Sequence, residues 1–421
     1  MLGAKTNTAQ RPWRFQIGAK FYRKVFHRYF VLMKLGRLNV FLPDGGFWSY
    51  GSGKGAVEAN IRVRNEQFFR KCFFSGDVGF GEAYVDKDWD TEDVVKVIEW
   101  MIVNAHNHPT LMADEPKRTP VNYFKIFNNV YQWLRANTVA GSQRNIRAHY
   151  DLSNEFFQLF LDQTMAYSSA YFRHQQQTLE EAQNEKFERL GRKLQLKPTD
   201  HLLEIGSGWG GLAMYAARNF GSRVTTITVS QQQFEYVKQK IQQEGLAHKI
   251  DIQLADYRRI KGKYDKIVSV EMIEAVGHRF LKTFFAQCHA LLKENGLLGL
   301  QMILAPDHRY ESFRKNVDWI QKYIFPGSLL PSLAVIHQAL NQTGTLNLFH
   351  YEDITAHYVK TLAFWREKFN AQGEKVRALG FNEAFQRKWN YYLSYCEAAF
   401  KTRNISVAQA VFTRPNNFSI E

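Results

Sequence analysis

The sequence predicts an α/β protein: a Rossmann-like, mostly parallel sheet with helices on both faces, preceded by a smaller N-terminal α+β domain. Two observations carry this. At His201 to Gly211, HLLEIGSGWGG, an apolar strand runs into a glycine-rich turn and then a helix. Beyond it, strand-like and helix-like runs alternate regularly, the pattern of a parallel sheet with a ligand at the strands' carboxyl ends. Before about residue 105 the pattern differs, with short alternating runs that belong to another unit.

With 421 residues there is ample volume for a core and for two domains. A net charge of +15, a pI near 9.5 and 15% aromatic residues point to an anionic partner, either nucleic acid or an acidic lipid surface. Cys72, Cys288 and Cys396 have neither disulfide nor zinc spacing, which suits a reducing cytoplasm. No apolar run approaches the roughly 20 residues of a spanning helix, and the N-terminus lacks a signal-peptide core. The expectation is a protein at the inner membrane surface that touches the bilayer without crossing it.

In chain order, the first forty residues hold Lys5, Arg11, Arg14, Lys20, Arg23, Lys24, Arg28, Lys34 and Arg37 and no acid, with Trp13, Phe15, Phe21, Tyr22, Phe26, Tyr29 and Phe30 among them. That mixture suits a helix at an anionic bilayer. It equally suits a helix packed on its own domain, and an organelle transit peptide is a lesser alternative. Ala59 to Arg64 reads as a strand. GDVGFGEAYVDKDWD, Gly76 to Asp90, reads as a loop cluster before a helix over Thr91 to Asn104. The first domain is placed at 1–118, its end (Ala105 to Arg118) already linker-like, with a linker at 119–144. His106 and His108 lack further ligand spacing, so no metal site is expected.

The second domain, 145–421, opens with the aromatic segment Arg147 to Asp162 and with TMAYSSAYF at Thr164 to Phe172. Thr178 and Glu181 form a capping box for the helix leading to the glycine strand. Leu202, Leu203 and Ile205 make that strand buried. The glycines let the backbone approach a ligand, and the helix Leu212 to Arg218 turns its free N–H groups toward it. The next strand, Val224 to Val229, ends in Thr228 and Ser230, without the acid that a nicotinamide dinucleotide site places about 20 residues on. Glu204, just before the first glycine, instead points to S-adenosylmethionine. Ser230 and Gln233 read as another capping box, and Phe234, Val237 and Ile241 as one apolar helix face closed by Gly245. Strands follow at Ile250 to Leu254, Lys266 to Val270 and Leu297 to Ile303. The stretch 309–361 reads as an apolar insertion able to wall an acyl-chain tunnel. Leu346 to His350 and Ala408 to Thr413 finish the sheet.

Six motifs in order, HYDLSNEFF, AYSSAYF, LEIGSGWGG, TVSQQQ, SVEMIEAVG and YIFPGSLLPS, resemble the cyclopropane fatty acid synthase family of S-adenosylmethionine-dependent lipid methyltransferases. The resemblance covers about 145–415, and Gly76 to Asp90 is similar to the accessory domain of the bacterial phospholipid enzymes. It implies a class I methyltransferase sheet and methyl transfer to the double bond of an unsaturated acyl chain in a phospholipid, giving a cyclopropane; a methyl- or methylene-branched product is the alternative. It implies cofactor contacts from Tyr167, Ser168, Glu204, Ile205, Gly206, Ser207, Gly208, Trp209, Gly210, Thr228, Gln233, Tyr257 and Arg258. The accessory domain is expected to bind lipid, form a homodimer, or both.

The chemistry requires no nucleophilic side chain, because the π electrons of the alkene attack the activated methyl; the resulting cation needs negative charge and a base nearby. Glu274 is the leading candidate for organising that charge. The resemblance implies that it helps hold a bicarbonate ion, with Ser169, Gln301, Ile303 and Tyr358. Ser169 stands where many members have cysteine, Gln301 where they have histidine, and Ala275 replaces a common histidine. Cys396 matches a cysteine often marked as the family's active site, although its aromatic helix suits core packing. A nucleic-acid methyltransferase would place an Asp/Asn-Pro-Pro-aromatic motif or a Pro-Cys pair where this chain reads SVEMIEAVG. A non-enzymatic lipid-binding protein is disfavoured by the intact glycine turn.

Overall fold

The computed structural model describes residues 14–55, 57–106 and 152–420. Its contacts divide the chain into two units, Met1–Phe124 and Lys125–Glu421. The linker at 119–144, His108 and the first residues of the Arg147 segment lie outside the described residues.

In the first unit, β1 (Arg37–Phe41), β2 (Phe47–Tyr50), β3 (Glu58–Val63) and β4 (Trp89–Asp90) form a sheet in the order β2-β1-β3-β4. Alternate residues of β3 are buried, as a one-sided sheet requires. The basic aromatic arm is a helix, Arg14–Phe30, packed on its own unit. Phe26 and Phe30 are buried, stacked at 3.8 Å, with Phe26 edge-on to Phe68 and Phe69. Phe21 and Leu32 stay outside, each 55% exposed. Gly76 to Val85 corrects the loop expectation, because it is the second half of a helix, Gln67–Val85, kinked at Gly76 (φ 54°). A Cβ on Gly79 would stand 2.0 Å from the Lys71 carbonyl oxygen, so that glycine serves close packing across the kink and not a turn.

The second unit holds a sheet of β5 (His201–Ile205), β6 (Arg223–Thr228), β7 (Ile250–Leu254), β8 (Tyr264–Val270), β9 (Leu292–Leu304), β10 (Asn347–Asp353) and β11 (Ser406–Thr413). The order is β10-β11-β9-β8-β5-β6-β7, with β11 antiparallel to both neighbours and the pairs from β9 to β7 parallel. This is the Rossmann-like class I methyltransferase sheet. Its order reverses between β5 and β8, where a crevice opens at the strand ends.

The Thr178 capping box is complete. At Ser230 only half forms: its hydroxyl caps Gln233 N–H, while the side-chain Oε1 of Gln233 accepts instead from Thr228 Oγ1 at 2.8 Å. The helix after the glycine turn is α-helical over Gly211–Tyr215 and π-helical over Ala216–Phe220. The apolar insertion is shorter than 309–361. Its helices Tyr310–Lys315, Trp319–Tyr323 and Leu333–Asn341 precede β10, whose edge pairing claims 347–353, and 355–361 belong to a helix that continues to Ala371. That helix packs with Glu383–Lys401 in the crossover to β11. Among the described residues no helix is long and apolar enough to cross a membrane, and no group of three His, Cys, Asp or Glu is placed to hold a metal.

Candidate active site

The chain leaves β5 through Gly206 (φ 98°), Gly208 (φ 49°) and Gly210 (φ 87°). A Cβ on Gly208 would meet no protein atom within 4 Å, so that glycine faces open space beside a cavity of about 360 Å³. The turn is braced from behind. Gly206 and Ser207 N–H both donate to the Ile227 carbonyl, at 3.0 and 2.8 Å, and Trp209 Nε1 donates to Asn154 Oδ1 at 2.8 Å. Asn154 opens a short helix capped by Ser153, which assigns the LSNEFF segment its work: it holds the tryptophan of the turn.

Tyr167, Ser168, Glu204, Ile205, Gly206, Ser207, Gly208, Trp209, Thr228, Gln233, Tyr257, Arg258, Glu274, Ile303, Tyr358 and Cys396 line this one cavity. Gly210, Ser169 and Gln301 lie behind its wall. Gly210 packs against Val237, and the other two act through hydrogen bonds. Sequence reasoning missed Asp256, Glu271 and Lys186. Asp256 lines the cavity and holds Arg258 bidentately, at 2.8 and 2.6 Å. Its signal was its position, directly before the Tyr257-Arg258 pair at the end of a strand.

Glu204 is buried and accepts from Thr226 Oγ1; burial raises its carboxyl to about 8. Lys186 is buried behind the wall, donating to Ser168 Oγ at 2.7 Å, and burial lowers its ammonium to about 8. The carboxyl groups of Glu204, Asp256, Glu271 and Glu274 line the cavity, and a bound cation would favour their charged forms. Open space at Gly208 and a cation-seeking wall both fit S-adenosylmethionine, which would be held along the glycine turn with Thr228, Gln233 and Asp256 beyond it.

The two glutamates of SVEMIEAVG divide their partners unexpectedly. Glu274 Oε1 accepts from Ile303 N–H, while its buried Oε2 has no hydrogen-bond partner. Burial, and then the nearby charge of Glu271, push the Glu274 carboxyl well above the usual range. Ser169, Gln301 and Tyr358, expected to hold a bicarbonate ion together with Glu274, bond to Glu271 instead. Glu271 Oε1 accepts from Ser169 N–H at 2.9 Å and Gln301 Nε2 at 2.8 Å, and Oε2 from Tyr358 Oη at 2.9 Å. Burial raises the Glu271 carboxyl and these donors oppose the rise. The backbone explains the switch: Glu271 has φ 48°, in the left-handed region, which few non-glycine residues occupy.

Bicarbonate does not fit these residues as they stand. The donors that would hold it are already bonded to a carboxylate of the chain, and a further anion would face both glutamates. Burial also pushes the Cys396 thiol far up, so at neutral pH it is a protonated wall residue and not a nucleophile. Phe313, Ile320, Phe325 and Leu330 from the insertion and Tyr392, Tyr395 and Phe400 from the helix Glu383–Lys401 complete an apolar wall. Leu329 N–H donates to the Glu274 carbonyl at 2.8 Å, tying the insertion to the carboxyl pair.

Comparison with known proteins gives three findings. The family model for mycolic acid cyclopropane synthetase matches residues 138–410. The chain is 34% identical to tuberculostearic acid methyltransferase UfaA1 of Mycobacterium tuberculosis over 90% of both chains, and 35% identical to the cyclopropane-fatty-acyl-phospholipid synthase of Escherichia coli K12 over 86% of this chain and 89% of that one. The solved structure of mycolic acid cyclopropane synthase CmaA1, complexed with SAH and CTAB, superposes with a TM-score of 0.60 at 31% identity, covering 65% of this chain and 98% of that one.

Proposed function

The chain belongs to the mycolic acid cyclopropane synthetase family and is an S-adenosylmethionine-dependent methyltransferase of the cyclopropane fatty acid synthase type; from that premise we propose that it methylates the double bond of an unsaturated acyl chain in a phospholipid, giving a cyclopropane. One observation carries the reading. A single cavity runs from the glycine turn to the apolar insertion, with the carboxyl pair on its wall. The E. coli relative's name supplies the phospholipid.

When bound, the cofactor supplies an electrophilic methyl on a positively charged sulfur. The apolar wall would orient the acyl chain and exclude water, and Glu274, which lines the same cavity, would stabilise the positive charge that develops on the chain carbon. A methyl- or methylene-branched product is the second reading, supported by the name of the tuberculostearic acid relative. The exposed Phe21 and Leu32 beside Lys20, Lys24, Arg28 and Lys34 support peripheral contact with an anionic membrane, and dimerisation is a further role proposed for the first unit.

The test is incubation with unsaturated phospholipid vesicles and methyl-labelled cofactor, followed by proton NMR of the extracted lipid. Upfield ring-methylene signals are expected. Olefinic signals on a methyl-bearing or methylene carbon would replace the cyclopropane with the branched product, and unlabelled acyl chains despite cofactor binding would end the lipid reading.

A further inference from the structure

Resting on that reading, we propose that the Glu271 side chain is the general base of the reaction, a fixed carboxylate that makes an external bicarbonate ion unnecessary. It lines the cavity three residues before Glu274, and its three donors come from three separate elements: the Ser169 loop, β9 and the helix Thr355–Ala371. They occupy three of the roughly four lone-pair positions of a carboxylate, both on Oε1 and one on Oε2. One position on Oε2 is left to take a proton.

The orientation of Gln301, ambiguous for an isolated amide, is fixed by a directional chain. Lys193 can only donate, and it donates to Gln409 Oε1 at 2.6 Å. Gln409 Nε2 then donates to Gln301 Oε1 at 3.0 Å, so the Gln301 amide nitrogen must face Glu271. This relay runs across the β9-β11 pairing, where Gln409 and Gln301 stand opposite each other. A buried residue held at positive φ by so many partners is pre-organised for a task.

The step balances with what is present. After methyl transfer the acyl chain carries a carbocation. A C–H bond of the new methyl breaks, its electron pair closes the ring onto the cationic carbon, and the proton forms an O–H bond on Glu271 Oε2. Cation and carboxylate become neutral product and neutral acid, and Glu271 returns its proton to solvent once the product has left. Loss of a neighbouring chain proton to the same oxygen gives the branched alkene instead.

The experiment uses the full chain, oleoyl-containing phospholipid vesicles and methyl-labelled cofactor, in CO2-free buffer and in buffer with bicarbonate. Wild-type labelling of lipid tests the functional reading; the buffer and variant arms test only Glu271. Wild-type rate is expected to be the same in both buffers. Glu271→Gly, tolerated at this positive φ, should keep cofactor affinity and lose about 100- to 10,000-fold in rate without CO2. Added formate, acetate or bicarbonate should restore its activity saturably by refilling the anion position. Dependence of the wild type on bicarbonate would overturn the proposal. So would full activity of Glu271→Gly in CO2-free buffer, or a folded, cofactor-binding variant that no anion rescues. If Glu271→Gly does not fold, the isosteric Glu271→Gln decides: wild-type turnover refutes the base, and loss of turnover with cofactor affinity retained upholds it.

Discussion

Gly208→Ala separates the role of the glycine turn in folding from its role in binding. At φ 49° an added Cβ carries left-handed strain of about 1–2 kcal/mol, but no protein atom lies within 4 Å to clash with it. Gly245 is a matched control: φ is 67°, again nothing lies within 4 Å, and it stands at the end of a helix away from the cavity. Both alanine variants should therefore lose stability alike, by roughly 2–6 °C in Tm. Only Gly208→Ala adds a methyl where a ligand contacts backbone, an overpacking cost of about 1–3 kcal/mol, or roughly 5- to 150-fold in affinity. Isothermal titration with S-adenosylmethionine and thermal melts of both variants supply the two numbers. Equal affinities for the pair would mean that the open face of Gly208 is not the cofactor's seat. Gly206 is a poorer probe, since its Cβ would also press on Met272 at 3.3 Å.

Cys396→Ala should retain turnover within about threefold and cost no more than a small core truncation, about 1–2 kcal/mol by denaturant melts, because its protonated thiol only fills the wall; a loss comparable to that of a base would restore the cysteine to the mechanism. In the unliganded protein, burial makes Glu204 bind a proton that the unfolded chain has lost between about pH 4.5 and 8. Its contribution to stability therefore falls as pH rises through that window, by at most ~1.4 kcal/mol per pH unit, so wild type should lose ground to Glu204→Gln between pH 6.5 and 8 in urea melts, and a constant gap would contradict the assignment. Binding to vesicles should rise with anionic lipid and weaken with salt if the basic face of the helix Arg14–Phe30 meets the bilayer, as sedimentation at graded ionic strength would reveal; salt-independent binding removes that face from the interaction.

Much of the larger unit was legible because its signals are local. The strand Leu202-Leu203-Ile205, the glycine turn, the Thr178 capping box and the Gly245 stop each lie within a dozen residues of the feature they specify. The misreadings have a common physical cause. Gly76 and Gly79 carry the composition of a loop, yet one allows a kink and the other lets two helix halves touch, a distinction that exists only once both are packed. The aromatic rings of the first helix could serve a membrane or a core, and only the positions of Phe68 and Phe69 decide for Phe26 and Phe30. Leu346 to His350 reads as a strand, but the reach of β10 to Asp353 depends on pairing with β11, more than fifty residues away.

Glu271 shows the same limit at the site. In SVEMIEAVG both acids stand just past a strand, and nothing local ranks one above the other. The ranking comes from register. Val270, the last residue of β8, pairs with Gln301 in β9, and Gln301 pairs with Gln409 in β11. The left-handed turn at Glu271 then brings its carboxylate onto the Gln301 amide, while the next turn sends Glu274 to Ile303 N–H and leaves one oxygen bare. Burial penalises two adjacent charges, so the glutamate with three donors keeps its charge more readily than the glutamate with one. One short turn thereby gives two identical side chains different surroundings, three donors at Glu271 and one at Glu274. The position of the carboxylate, which selects the proton that leaves, is set by strand pairing across the centre of the sheet.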